Sequence, residues 1–379
     1  MLDSLRHLSF MPRQNPTPTP TFYRPELDGL RFLAFLFVFT THAFPDDATV
    51  YMSRGVSWPL AHVLSHLVHI GRFGVPLFFV LSSYLITELL IREHRKTGAI
   101  DVARFYLRRA LRIWPLYIVF VLAAAAWLRS TRGPAAFPLR YFLSLLLFWG
   151  NWGMIRGWGP GAGDKLTGPL WSVSVEEQFY LVWPVLLLIV GVRRIRALAV
   201  VLVALAFAGR LAMDMTAALD TIVWYSSFTW LDAIGAGALL AVALRGGEPR
   251  LTPAMRLLLL AAGPALWLAA AILFKALPLY SVFYPLILAG SISMFLSAAG
   301  NRAFAHPVLV FLGRRSYGLY VLHLAGLALA SFLFPPLTLP AAGAGLALTV
   351  LMAAAAYAWL EAPFLALKRR LAYVESQPA

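Results

Sequence analysis

The feature that most constrains this chain is a series of apolar runs, most of them about twenty residues long. A helical run of that length matches the hydrocarbon core of a bilayer. The runs lack the alternating ten-residue pattern of a membrane β-barrel. A mean hydropathy of +0.73 and a charged fraction of 13% also exclude an ordinary soluble domain. The sequence therefore predicts an all-α, polytopic membrane helical bundle.

The charges between the apolar runs predict how the chain is threaded through the membrane. Arg and Lys crowd the stretches 92–112, 191–197, 245–256 and 302–315, which the positive-inside rule places in the cytoplasm. These stretches all lie inside only if one apolar run between residues 111 and 171 does not cross the membrane. The best candidate is 139–153, which is short for a span and typical of a re-entrant or interfacial segment. The apolar runs lie at residues 27–44, 70–91, 111–128, 139–153, 171–191, 195–210, 221–244, 255–274, 280–299, 315–334 and 341–360.

This threading predicts about ten transmembrane helices plus one re-entrant or interfacial segment, with both termini cytoplasmic, in a bacterial inner (plasma) membrane. Residues 1–24 are rich in Pro and Thr and lack the apolar core of a signal peptide, so we expect a disordered cytoplasmic tail. The membrane domain is predicted to cover residues 25–364, and a second cytoplasmic tail residues 365–379. No soluble domain is expected after the last apolar run.

The formal net charge of +15 has a topological explanation, because the cationic residues lie in the short connections between apolar runs. We therefore expect no nucleic-acid partner, although a soluble protein of this charge would suggest one. The absence of cysteine excludes disulfides and thiol catalysis. His62, His66 and His69 have helical spacing but no carboxylate cluster beside them, so we predict interfacial residues and no metal site.

Ionisable residues inside the apolar runs are the candidates for function, because a charge in the bilayer costs several kcal/mol. The first run, "RPELDGLRFLAFLFVFTTHAF", holds Arg31 near its predicted cytoplasmic end and His42 near its outer end. Their separation of eleven residues is about three helical turns, or about 16 Å, so both project from one face. Taken alone, Arg31 could instead reach lipid headgroups and His42 could be an interfacial residue.

Two further runs carry polar residues that suit binding. In "GRFGVPLFFVLSSYLI", Ser82 and Ser83 permit close helix packing or a hydroxyl contact, and packing is the simpler interpretation. In "FYLRRALRIWPLY", Arg109 and Arg112 share one helical face, and paired guanidinium groups suit a polyphosphate. Topological anchoring explains this pair equally well.

Carboxylates and aromatic hydroxyls occur in two later runs. In "PLWSVSVEEQFYLVWP", Glu176 and Glu177 are adjacent, so at most one of them faces a cavity; a wet helix N-terminus is the alternative for both. In "RRSYGLYVLHLAG", Tyr317, Tyr320 and His323 follow one side of a helix that enters from the cytoplasm.

Together and in this order, these stretches resemble the acyltransferase-3 membrane family. In the second motif Ser83 and Tyr84 replace the usual Gly-Phe, a departure that is expected to narrow the cavity there. The matching positions are Asp28, Gly29, Leu30, Arg31 and His42; the segment "GVPLFFVLSSY"; Arg109, Arg112 and Pro115; Trp171, Ser172, Glu176, Phe179 and Tyr180; and Ser316, Tyr317, Tyr320 and His323.

The resemblance implies a bundle of about ten helices and an O-acyltransferase. Its expected co-substrate is acyl-CoA, with acetyl-CoA as the default donor. The expected acceptor is a hydroxyl of a carbohydrate, a lipid-linked glycan or a macrolide, and membrane lipids surround the protein. A proton-coupled secondary transporter is the alternative, because intramembrane His and Glu also serve as proton relays.

The residues then receive expected roles. Arg31, Arg109 and Arg112 would bind the phosphates of the donor, and Ser82 is a further donor-binding candidate. His42 would act as general base on the acceptor hydroxyl, or would accept the acyl group itself in a covalent relay. Glu176 would orient His42, and His323 or Tyr317 would donate a hydrogen bond to the oxyanion.

Overall fold

A computed structural model describes residues 22–159 and 166–374, and within them the chain is helical without β-strands. The all-α prediction is therefore confirmed. Of the predicted tail 1–24, residues 1–21 lie outside the described residues. The helices are α1 Pro25–Ala43, α2 Ala48–Met52, α3 Trp58–His69, α4 Gly74–Thr97, α5 Val102–Arg132, α6 Leu139–Leu146, α7 Gly150–Ile155, α8 Leu170–Val190, α9 Ile195–Met215, α10 Asp220–Tyr225, α11 Leu231–Leu244, α12 Pro253–Ala276, α13 Tyr280–Ala298, α14 Pro307–Arg314, α15 Ser316–Ala330, α16 Leu339–Ala356 and α17 Ala362–Arg370.

Several of these helices are long and apolar enough to cross a bilayer. In addition, α1 has 19 residues but carries three charged ones near its start, and α15 is apolar but only 15 residues long. The predicted number of ten crossings stays a prediction. Eight stretches of the described chain meet the length and hydropathy of a span, namely Trp58–Thr97, Val102–Arg132, Leu170–Val190, Val192–Met215, Ser227–Leu244, Pro253–Phe274, Tyr280–Ala298 and Leu339–Arg370.

The segment predicted not to cross, 139–153, folds as the two short helices α6 and α7. The chain turns between them at Phe148, whose φ of 52° lies in the left-handed region. An α-helix of eight residues, the length of α6, spans about 12 Å and cannot cross a hydrocarbon core of about 30 Å. The interpretation of this segment as re-entrant or interfacial fits this geometry.

The largest departure from the predicted spans lies before α4. Residues 45–69 fall between the predicted apolar runs 27–44 and 70–91, but α3 occupies Trp58–His69 and continues through the 3₁₀ turn Ile70–Phe73 into α4. Three histidines lower the hydropathy of this stretch, so it does not stand out as an apolar run although their spacing is helical. The imidazole Nδ1 of His66 lies 2.6 Å from the carbonyl oxygen of His62, one turn earlier.

Two other spans differ in their ends. The run 221–244 is divided, because α10 ends at Tyr225 and a 3₁₀ turn Ser227–Trp230 leads into α11. The run 341–360 is extended, because a π-helical turn at Tyr357–Glu361 joins α16 to α17. The predicted tail boundary at residue 365 therefore falls inside α17.

Helix α1 is the central element of the bundle, packed against α4, α14 and α15. Two close backbone approaches fix its position. A Cβ at Gly29 would collide with the carbonyl oxygen of Phe304, and a Cβ at Gly313 would collide with the carbonyl oxygen of Asp28. Glycine is required at these positions because the helix and its neighbours touch through main-chain atoms.

Candidate active site

A cavity of about 140 Å³ opens among α1, α4, α5, α8, α15 and α17. This volume is far above the ~10–15 Å³ that one water requires. Cationic groups line part of the cavity, and hydroxyl, carboxylate and apolar groups line the remainder. The polar and charged lining residues are Tyr23, Arg24, Asp28, Arg31, Ser82, Arg109, Arg112, Ser172, Glu176, Tyr180, Ser316, Tyr317, Tyr320 and Lys368.

Arg31 faces this cavity from α1, as the first helix pattern predicted. Its guanidinium lies 3.4 Å from the carboxylate of Asp28, one turn earlier. The same carboxylate accepts a hydrogen bond of 2.9 Å from the hydroxyl of Tyr23. That hydroxyl accepts in turn from the guanidinium of Arg314, at 3.1 and 3.2 Å. Burial, and secondly the charge of Asp28, raise the pKa of Tyr23, so its hydroxyl stays protonated at neutral pH.

Arg109 and Arg112 both line the cavity, but their surroundings differ. Arg112 donates to the carbonyl of Arg314 at 3.2 Å and lies 3.6 Å from the buried carboxylate of Glu361. Arg109 forms no ion pair within the described residues, and its Nε has no hydrogen-bond partner there. Its guanidinium lies over the ring of Tyr180, 5.6 Å from the centroid. Arg109 is therefore the cation of this pair that is open to an anionic ligand.

Only one of the adjacent glutamates faces the cavity, as their spacing predicted. Glu176 lines it and accepts a hydrogen bond of 2.7 Å from the hydroxyl of Ser82 on α4. Glu177 points to the other side of α8, where it accepts from the indole nitrogen of Trp114 at 3.0 Å. Ser82 and Glu176 thus join α4 to α8 at the cavity wall. The expected partner of Glu176 was His42, whereas the hydrogen bond observed at this carboxylate comes from Ser82.

Two tyrosines of α15 also reach the cavity. The hydroxyl of Tyr317 donates to the carbonyl of Ile113 at 2.8 Å. The hydroxyl of Tyr320 contacts that of Ser172 at 2.6 Å and donates to the carbonyl of Pro169 at 3.1 Å. A phenol has one hydrogen to donate. The predicted oxyanion role of Tyr317 therefore requires it to exchange its present hydrogen bond for one to the substrate.

His42 and His323 form a pair beyond Tyr320. Their rings lie edge to face with centroids 4.9 Å apart, and the ring of Tyr320 is 5.8 Å from that of His323. His323 is fully buried, whereas His42 is half-buried. Neither histidine is among the residues that line the cavity, and their rings meet between α1 and α15. Tyr320 is thus the side chain that connects the cavity to the histidine pair.

The structure corrects the expectation for the unusual Ser83-Tyr84 pair. The hydroxyl of Ser83 donates to the carbonyl of Ile234 on α11 at 2.5 Å. The ring of Tyr84 packs against Phe295, with centroids 4.7 Å apart. Neither side chain lines the cavity, so neither narrows it. The reason is helical geometry, because Ser83 and Tyr84 point away from the face that carries Ser82.

Three of the polar or charged residues that line the cavity were not predicted from the sequence. Arg24 precedes α1 and forms an ion pair of 2.6 Å with Glu248. Tyr23 lies at the end of a segment assigned to a tail. Lys368 belongs to the cationic segment "LKRR" after the last apolar run, a pattern that is typical of a topological anchor. Nothing in the sequence pattern distinguishes Lys368 from its neighbours, because its place at the cavity depends on how α17 packs.

Comparisons with known proteins agree with these observations. A family model described as "Acyltransferase domain" matches residues 24–358. A Staphylococcus aureus (strain MSSA476) protein named "Putative O-acetyltransferase" is 24% identical over an alignment of 370 positions, which covers 90% of this chain and 57% of the relative. The chain thus spans less than two thirds of that relative's length.

Two further bacterial proteins match a shorter part of the chain. The peptidoglycan O-acetyltransferase OatA of Listeria monocytogenes is 30% identical over an alignment of 175 positions, which covers 44% of this chain and 24% of the relative. A Bacillus subtilis protein named "Putative peptidoglycan O-acetyltransferase YrhL" is 31% identical over 180 residues, with the same two shares. No solved structure matches the chain.

Proposed function

Because the chain belongs to the acyltransferase-3 family, we propose that it is a multi-pass membrane O-acyltransferase that uses cytosolic acyl-CoA. The acyl group is acetyl, because the relatives are named as O-acetyltransferases. The acceptor is a hydroxyl of a carbohydrate, a class that the peptidoglycan named for two of the relatives supports. The membrane is a bacterial inner membrane with both termini in the cytoplasm, because the cationic connections then all lie inside.

The single observation that carries this proposal is the concentration of positive charge at one cavity. Five cationic side chains line it, against the carboxylates of Asp28 and Glu176. The cations are Arg24, Arg31, Arg109, Arg112 and Lys368. Like charges gathered at one site repel one another unless an anion binds among them. A coenzyme A ester carries phosphates at one end and a neutral thioester at the other. Such a molecule suits a cavity whose lining is cationic in one part and consists of hydroxyl, carboxylate and apolar groups in the remainder.

In the proposed complex, Arg31, Arg109 and Arg112 hold the donor phosphates through charge-assisted hydrogen bonds. The pantetheine arm then lies along the less charged part of the cavity, past Ser82 and Glu176. Tyr320 borders both this part and the histidine pair, so the thioester is delivered toward His42.

The chemical step transfers one acyl group and one proton. The acceptor hydroxyl gives its proton to His42 as its oxygen attacks the thioester carbonyl. A new C–O bond forms, the C–S bond breaks, and the leaving thiolate takes a proton from the imidazolium. The products are the O-acyl glycan and free coenzyme A, and His42 ends unchanged.

Transfer and transport make different predictions for one assay of the full chain in liposomes. The assay supplies acetyl-CoA labelled in the acetyl group on the cytoplasmic side and a glycan acceptor on the other. Label on the glycan, with release of free coenzyme A, supports the proposal. Movement of an intact solute without loss of acetyl from the donor would instead support a proton-coupled transporter. Mass spectrometry of surface glycans from a deletion strain identifies the acceptor.

A further inference from the structure

We infer that α17 completes the donor site, with the ammonium group of Lys368 as a phosphate-binding group. This inference rests on the proposed function, because the phosphates in question are those of the acyl-CoA donor. Lys368 lies ten residues beyond the part of the chain that the family model matches, residues 24–358. The family match therefore does not include Lys368, whose position is determined by the packing of this chain.

The path of the chain places Lys368 at the cavity. The π-helical turn at Tyr357–Glu361 ends at Glu361, whose carboxylate lies 3.6 Å from Arg112. Helix α17 then packs against α5. The segment after α17 is held as well, because Arg108 donates to the carbonyl of Leu371 at 3.2 Å. Anchors on both sides of α17 fix Lys368 at the cavity wall. π-helical turns of this kind are frequent at functional sites.

The electrostatic surroundings of Lys368 call for an anion. It is half-buried, lines the cavity and makes no hydrogen bond or ion pair in the part of the chain that the structure describes. Arg31, Arg109 and Arg112 repel it. Holding an ammonium group among guanidinium groups without a carboxylate partner is unfavourable. A bound phosphate removes this penalty, because it pairs with Lys368 and Arg109 together.

Topological anchoring does not account for Lys368. An anchoring lysine extends toward water or lipid headgroups. Arg369 and Arg370, the next two residues, are exposed in this way. Lys368 instead turns inward, on the face of α17 that meets the cavity. The two arginines therefore provide matched controls, since replacing either one removes one charge from the same helix without changing the cavity.

The test compares two donors on the full-length protein in lipid nanodiscs. Acetyl-CoA carries phosphates, whereas acetyl-pantetheine has the same thioester and arm without them. Lys368→Gln should raise the Kd for acetyl-CoA about tenfold, the loss expected for one charge-assisted contact. Its affinity for acetyl-pantetheine should stay within about twofold of the wild type, as should both affinities of Arg369→Gln and Arg370→Gln. Lys368→Arg should recover part of the loss.

Other results would overturn the inference in distinguishable ways. Equal weakening of both donors would mean that Lys368 supports the fold of the cavity and does not bind phosphate. An unchanged acetyl-CoA affinity would mean that it contacts no phosphate. If the wild type bound no acetyl-CoA, that result would contradict the proposed function independently of Lys368. Inorganic pyrophosphate would then test Lys368 alone. Thermal stabilisation by pyrophosphate that Lys368→Gln abolishes supports an anion site that includes Lys368. Stabilisation that persists in this variant, or that is absent from the wild type, excludes Lys368 from an anion site.

Discussion

The rings of His42 and His323 lie edge to face, 4.9 Å apart between centroids, and each is fixed by its own helix. The Nδ1 atom of His42 is 2.8 Å from the carbonyl oxygen of Val38, and that of His323 is 2.6 Å from the carbonyl oxygen of Tyr320. A carbonyl only accepts, so Nδ1 carries the hydrogen in each ring and Nε2 is the basic atom of the neutral form. The Nε2 of His323 has no hydrogen-bond partner in the described chain. This geometry makes the Nε2 of His323 available for proton transfer.

Removal of the His42 imidazole should abolish transfer and spare donor binding. We expect His42→Ala to lower kcat by about 10²–10⁴-fold, the contribution of a positioned general base. The Kd for acetyl-CoA should change little, because His42 is not part of the cavity lining. Transfer assays and equilibrium dialysis on the same preparation measure both quantities. Near-normal turnover by His42→Ala would remove His42 from the mechanism.

The kinetic pattern separates direct transfer from a covalent relay. With His42 as general base, donor and acceptor must be bound together, so we expect intersecting double-reciprocal plots. No acyl-enzyme should accumulate when labelled acetyl-CoA is supplied without acceptor. Parallel plots, together with label recovered on a peptide containing His42, would establish the relay instead.

The two arginines of α5 should respond differently to neutralisation. Arg109→Gln is expected to raise the donor KM about tenfold with little change in stability, because Arg109 forms no ion pair in the described chain. Arg112→Gln should also destabilise the protein by about 3 kcal/mol or more, because it leaves the buried carboxylate of Glu361 unpaired. Donor kinetics and thermal unfolding in detergent check the two expectations. An unchanged donor KM in both variants would mean that these arginines only set topology.

The sequence allowed much of the cavity wall to be predicted, because helical periodicity decides which side chains share a face. The charged positions Arg31, Arg109 and Glu176 were identified in this way, since ionisable groups in apolar runs must turn inward. Periodicity also predicted that Glu176 and Glu177 would face different sides.

Other features depend on tertiary packing and could not be read from the sequence. Whether Ser83 faces the cavity or α11 depends on the rotation of α4, which close contacts with Gly237 determine. The inward direction of Lys368 depends on how α17 docks after the π-helical turn. The continuity of residues 58–69 with the next apolar run could not be predicted, because their histidines lower the local hydropathy.

The hydrogen bond between Ser82 and Glu176 suggests a graded pair of substitutions. Glu176→Gln retains an oxygen that accepts from Ser82, so the fold should persist while the negative charge is lost. We expect kcat to fall about 10²-fold if this carboxylate supports proton transfer. Ser82→Ala removes one neutral hydrogen bond, worth about 1 kcal/mol, and should raise the donor KM about fivefold. A Glu176→Gln variant with wild-type kcat would leave the carboxylate a structural role only.

The position of α1 can be tested at its closest backbone contact. Gly29→Ala introduces a Cβ that collides with the carbonyl oxygen of Phe304. Because the contact involves the main chain of both segments, no side-chain rotation can relieve it. We expect a loss of about 2–3 kcal/mol in the free energy of unfolding, as in overpacked cores. Gly209→Ala is the matched control, because within the described chain no heavy atom outside its own stretch of helix lies within 4 Å of the added Cβ. It should be neutral or stabilising by up to ~1 kcal/mol, since Ala favours a helix over Gly. Thermal unfolding of both variants in the same detergent measures the difference. Equal stability of the two would mean that α1 is not held by this contact, and the placement of Arg31 and His42 along it would lose its structural basis.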